Sequence, residues 1–183
     1  MAIETISLII TVILALLGYL ITYWNNILIA KHEQQLELVN KRISEFYGPL
    51  YVVTQTGGKA YKALLLKLNK RAVFDGDSPA TEKEIEEWRI WLTKVFMPNN
   101  ELVERLIIEK AYLMQEEKMP DCMLDFITHV SGYKALLAKW EKGDYSEYLS
   151  MLNFPKELQE YAAQSYQQLK AKQLRLIGES KTS

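Results

Sequence analysis

The stretch ISLIITVILALLGYLITYW, Ile6–Trp24, carries no charged residue over nineteen positions. As an α-helix it spans roughly 28 Å, close to the hydrocarbon thickness of a bilayer. Tyr19, Tyr23 and Trp24 gather at its C-terminal end, where amphipathic rings favour the lipid–water boundary. A cleaved signal peptide would begin with a cation and end in a small-residue cleavage site, and neither is present. A core helix of a soluble domain is rarely apolar on every face for such a length. The stretch therefore reads as a transmembrane anchor, with residues 1–5 a short external tail and residues 6–26 in contact with the lipid bilayer.

Working outward, the flanking charge suggests an orientation. Glu4 is the only charged residue before the span, and Lys31, Lys41 and Arg42 follow it. Basic flanks stay in the cytoplasm, so the C-terminal part is expected inside the cell. Within the span, Thr11, Ala15, Gly18 and Thr22 fall on one helix face. Small residues on one face let two transmembrane backbones approach, so a homodimer is one expectation and a monomeric anchor the other.

The whole chain has 22 basic and 23 acidic residues, so beyond Glu4 the remainder holds 22 of each. A balanced domain lacks the positive field that DNA or RNA binding needs, and no nucleic-acid partner is expected. Cys122 is the only cysteine, which excludes an intrachain disulfide. With His32 and His129 it makes too few ligands for a zinc site, and no metal or cofactor is expected.

Residues 27–47 read as a helical stalk. Leu36, Val39, Ile43 and Phe46 recur at steps of three and four, the spacing of a coiled-coil seam. So short a stripe more often packs against its own domain. Gly48 and Pro49 then form a structural break. Proline has no N–H to donate and disfavours helical geometry at the residue before it. The pair is expected to end or kink the stalk and restart a helix at Leu50, with Phe46, Tyr47, Leu50 and Tyr51 burying the corner. A ligand site at the break is the alternative.

Downstream the 3.6-residue period recurs over 50–72, 82–97, 101–117, 120–142 and 155–177. Gly57-Gly58 interrupts the first of these, and TGGK lacks the spacing of a phosphate loop. The FDGDSPAT stretch, residues 74–81, is a turn-rich loop without the downstream ligands of a calcium site. Thr81 and Glu84 form a plausible capping box. Pro98 is expected to stop one helix, with Asn99 or Asn100 capping the next. No stretch alternates apolar and polar residues as a strand does. The fold class is therefore all-α. An N-terminal transmembrane helix and stalk lead into a cytoplasmic antiparallel bundle of four to five helices over 48–177, and residues 178–183 form a mobile tail.

The chain offers one constellation that could carry chemistry. Asp121, Asp125 and His129 lie at i, i+4 and i+8 on one helix. A carboxylate can orient an imidazole as a base or a metal ligand. They are the weak candidates for catalysis; the ordinary role is a histidine bonded within a bundle and an acid complementing the helix dipole. Tyr47, Trp91, His129 and Tyr133 are the candidate ligand- or partner-binding residues, because aromatic side chains between helices can line a cleft. At helical spacing such rings are more often core. No nucleophile elbow or dinucleotide fingerprint is present.

Four segments, EFYGPLY, WRIWLTKVFMPNN, MPDCMLDFITHVSGYKALLAKWEKGD and NFP, occur in that order after the span. In this the chain resembles a family of uncharacterised bacterial single-span membrane proteins with an EFYGPL motif. The resemblance implies an all-helical cytoplasmic domain and a bacterial inner-membrane location. It places Phe46, Tyr47, Gly48, Pro49, Trp91, Phe96, Pro98, Asn100, His129, Tyr133 and Trp140 at motif positions, and it transfers no catalytic role. Two functions are expected from these readings. One is a tethered module that binds a protein or small ligand at the inner membrane face. The other is a tethered enzyme or effector using the Asp121/Asp125/His129 face, with or without a metal.

Overall fold

The computed structural model describes residues 2–74 and 80–179, apart from the side chains of Ala2 and Glu4. Most of the FDGDSPAT loop and residues 180–183 of the expected tail lie outside the described residues, as does Met1. Among the described residues the chain is all-helical, with no strand.

Helix α1 covers Ala2–Arg42. From Ile6 to Trp24 its large apolar side chains are exposed, and none of the described residues buries them. The two threonine hydroxyls of this face turn back on their own helix: Thr11 Oγ1 donates to the Ser7 carbonyl and Thr22 Oγ1 to that of Gly18, both at 2.9 Å. Backbone and hydroxyl are thus satisfied without water, as a lipid setting requires. This is a helix long and apolar enough to cross a membrane, near the N-terminus.

The expected break at Gly48-Pro49 takes a different form. Helical hydrogen bonding continues through a π turn, Ile43–Tyr47, directly into α2, Gly48–Leu68. Pro49 cannot donate, and an α turn would press its ring on the carbonyl four residues back. The wider turn relieves this, because the Gly48 N–H bonds the Ile43 carbonyl five residues back. The same device recurs at the expected stop before Pro98. Helix α3, Glu82–Trp91, passes through a second π turn, Leu92–Phe96, into α4, Met97–Lys110. There the Met97 N–H bonds the Leu92 carbonyl, so Asn99 and Asn100 lie inside a helix rather than capping one. The first π turn also brings an extra residue onto the inner side: the adjacent Phe46 and Tyr47 are both completely buried.

Helix ends follow local chemistry. The α2 helix closes at Leu68 because Asn69 takes the left-handed conformation (φ 52°) and the Lys70 N–H reaches the Leu65 carbonyl at 3.0 Å. Gly57 and Gly58 lie within α2 without interrupting it. The Thr81–Glu84 capping box opens α3 as expected. The helix expected over 101–117 ends early, because a 3-10 turn at Ala111–Leu113 follows α4. Helix α5, Asp121–Glu141, starts after Pro120 and is closed by Gly143 at φ 79°, and α6 spans Glu157–Glu179.

The chain divides into two compact units, residues 1–40 with 172–183, and residues 41–171. In the first, Val39 and Leu176 are buried and Gln173 donates to Asn40 Oδ1 at 2.6 Å. In the second, α4 packs on α5 and on α2, and Leu50, Leu64, Ile107, Met123, Phe126 and Val130 form its core. On α5 Leu136 is buried and its neighbour Leu137 half-buried.

Candidate functional site at the first π turn

The π turn joins a polar cluster at the edge of the second unit, in which Tyr47 is buried, Tyr161 half-buried and Glu116 exposed. The Tyr47 hydroxyl donates to Glu116 Oε2 at 3.1 Å and accepts from the Gln115 backbone N–H at 3.0 Å. The Tyr161 hydroxyl, on α6, donates to the same carboxylate oxygen at 2.9 Å and lies 3.3 Å from that of Tyr47. Arg42 donates to the Met114 carbonyl at 3.1 Å, and Lys110 pairs with Glu45 at 2.9 Å. The irregular strap over 114–118 is thereby tied to the turn at several points. π turns recur at functional sites because they aim side chains that an α-helix cannot.

The electrostatics of the cluster favour protonated phenols. Burial raises both tyrosine pKa values, that of Tyr161 the more strongly because the Tyr47 hydroxyl adds to it, and the Glu116 charge raises each further. Neither phenol is activated as a nucleophile or base. The arrangement holds a carboxylate between two neutral hydroxyls. The Lys110 ammonium, by contrast, lowers the Glu45 pKa.

The Asp121/Asp125/His129 face does not converge. Asp121 and Asp125 are exposed, whereas His129 turns inward among Phe126, Tyr133 and Phe154. Its Nδ1 lies 2.8 Å from the Leu152 carbonyl. A carbonyl only accepts, so Nδ1 carries the proton and the neutral tautomer is set. Burial lowers the imidazole pKa, while the Leu152 and Asn153 carbonyls oppose that shift. Among the described residues no group of three His, Cys, Asp or Glu side chains is placed to hold a metal.

His129 belongs to a set of aromatic side chains that fasten the irregular segment over 142–156. Trp140 Nε1 donates to the Glu147 carbonyl at 2.8 Å, and Trp88 Nε1 to the Tyr148 carbonyl at 2.9 Å. The Tyr133 hydroxyl pairs with the Ser150 backbone. Gly132 lets the segment lie close, since a Cβ there would collide with Ser150 Oγ. Of the candidate binding residues, Tyr47, His129 and Tyr133 are thus buried and bonded within the second unit. Trp91 is half-buried, with Nε1 on Glu87 at 2.8 Å and its ring near Phe96.

Sequence reasoning did not single out Glu116 or Lys110 and took Arg42 only as a flanking charge, because their partners are distant in the chain. The π turns did have a local signal. Tyr47-Gly48-Pro49 and Phe96-Met97-Pro98 share an aromatic residue two before a proline, inside an otherwise unbroken helical period.

These features define an all-helical protein with a helix fit to cross a membrane and a separate body with its own core. No family model, curated protein or solved structure matches the chain.

Proposed function

We propose that the protein is a membrane-tethered interaction module. Its N-terminal helix anchors it in the inner membrane of a bacterial cell, and its body binds a protein or small ligand at the cytoplasmic face. The observation that carries this reading is the exposed apolar surface of α1 from Ile6 to Trp24 in a chain whose second unit closes its own core. Tethering raises the local concentration of the body for other membrane components. The body is taken as an antiparallel bundle built from α2, the α3–α4 pair, α5 and α6. Lys31, Lys41 and Arg42 after the span favour the cytoplasmic side. The bacterial setting rests on the sequence resemblance.

Alkaline carbonate extraction should leave the full chain with the membrane, and a fluorescent protein fused to its C-terminus should fluoresce. Cross-linking in cells followed by detergent pull-down should recover a reproducible partner. Extraction into the soluble fraction overturns the anchor. A monomer with no reproducible partner overturns the interaction role. The enzyme reading has no observation in its favour, since the His129 ring is engaged by Leu152 and the two aspartates face away from it.

A further inference from the structure

The strongest unassigned group in the body is the guanidinium of Arg89. Two of the acids on α3 are engaged elsewhere: Glu84 pairs with Lys70 at 2.9 Å, and Glu87 pairs with Lys67 and accepts from Trp91. Glu147 of the facing segment pairs with Lys139 at 2.9 Å. Glu86, one turn before Arg89, is exposed and makes no ion pair with it. Among the described residues the Arg89 side chain has no hydrogen-bond acceptor, and its Nε is buried without one.

Two rings hold this cation in place. The guanidinium carbon lies 4.3 Å from the Tyr145 ring centroid and 5.4 Å from that of Trp140. Trp140 is itself fixed by its bond to the Glu147 carbonyl, and Tyr145 is half-exposed at the surface. A guanidinium stacked on aromatic faces keeps its planar fork of donors while losing most of its freedom, so ordering it on binding costs little. Such a fork matches the two oxygens of a carboxylate or phosphate.

We propose that Arg89, flanked by Tyr145 and Trp140, is a docking site for an oxyanion, a carboxylate or phosphate group of a ligand or partner. The site lies within the second unit and does not depend on membrane placement. Its failure and that of the anchor are therefore separately observable.

The test is a titration of full-length, arginine-¹⁵N-labelled protein in detergent micelles with inorganic phosphate and, separately, acetate at constant ionic strength. The Arg89 Nε–H resonance, assigned by its absence in Arg89→Gln, should shift saturably at millimolar anion. Arg89→Lys keeps the charge but removes the fork, and should bind roughly tenfold more weakly. Tyr145→Ala keeps the cation and should weaken binding roughly threefold to tenfold. Should Arg89→Gln fail to fold, Arg89→Lys supplies the assignment. A response to phosphate alone identifies a phosphate group, and a response to acetate alone a carboxylate; either supports the site. No saturable shift with either anion, or an equal shift with chloride, overturns it.

Discussion

The hydroxyls of Tyr47 and Tyr161 lie 3.3 Å apart and converge on one oxygen of Glu116, although they come from opposite ends of the body's sequence. Tyr47→Phe takes the acceptor from the part-buried Gln115 N–H and removes one donor from the carboxylate. It should destabilise the protein by about 1–3 kcal/mol, read from denaturant midpoints. Both phenols hold their protons past the ordinary value of 10.0. The unfolded chain releases those protons from about pH 10 upward. Stability from this pair is therefore present below that pH and falls as pH rises through it, and Tyr161→Phe should flatten the alkaline limb.

Two of the three glycines of α2, Gly48 and Gly57, should respond oppositely to alanine. A Cβ on Gly48 would stand 2.5 Å from the Ile43 carbonyl oxygen, a backbone atom that cannot swing aside. Met97 holds the corresponding place at the second π turn with a side chain, so a π turn by itself does not require glycine. Gly48→Ala should lower stability by about 1–3 kcal/mol. Gly57 is helical with nothing within 4 Å of a Cβ, and Gly57→Ala should raise stability by about 0.4–1 kcal/mol. Thermal melts of the two variants check both signs.

Acid should loosen the segment over 142–156 through His129. Burial holds its pKa below 6.5, so the unfolded chain binds the proton first as pH falls. The stability that the neutral ring contributes is present above pH 6.5 and is lost as pH drops toward the folded value. The melting temperature of the wild type should fall more steeply between neutral and mildly acidic pH than that of His129→Gln. Equal slopes would show that the imidazole does not titrate in this way.

A charge in the middle of the apolar helix should defeat insertion. Leu14 is exposed within α1, where replacing it takes nothing from the protein's own packing. Leu14→Arg costs about 2.5–3.5 kcal/mol at a bilayer centre. It should move a measurable fraction of the protein out of the carbonate-resistant membrane pellet, while the melting of the body stays unchanged.

Much of this architecture was legible before any coordinate. The Thr81–Glu84 box formed as its spacing implied, and Gly143 closed α5 with the positive φ expected of a C-terminal glycine. These signals are read within one turn of chain, where the competing interactions are few. Pro49 was read as ending or kinking a helix and Pro98 as stopping one, and at both a π turn carries the helical bonding onward. Whether a helix ends or widens at a proline depends on whether the residues beyond it have a core to join. Phe46, Tyr47 and Leu50 do, and all three are fully buried. The face of Asp121, Asp125 and His129 was read as one surface, yet each step of four residues rotates by 40°. The neighbouring segment then decided which member turned inward.

The sequence by itself determined the all-helical class and the presence of a helix apolar enough to cross a membrane, because length, hydropathy and capping are properties of contiguous residues. Only the tertiary structure decided that Tyr47 meets Tyr161, that His129 serves the Leu152 carbonyl and that Arg89 lies on Tyr145 and Trp140. Those pairings join residues up to 114 positions apart. Nothing local favours one distant partner over another until the apolar faces have packed and set the remaining polar groups within reach.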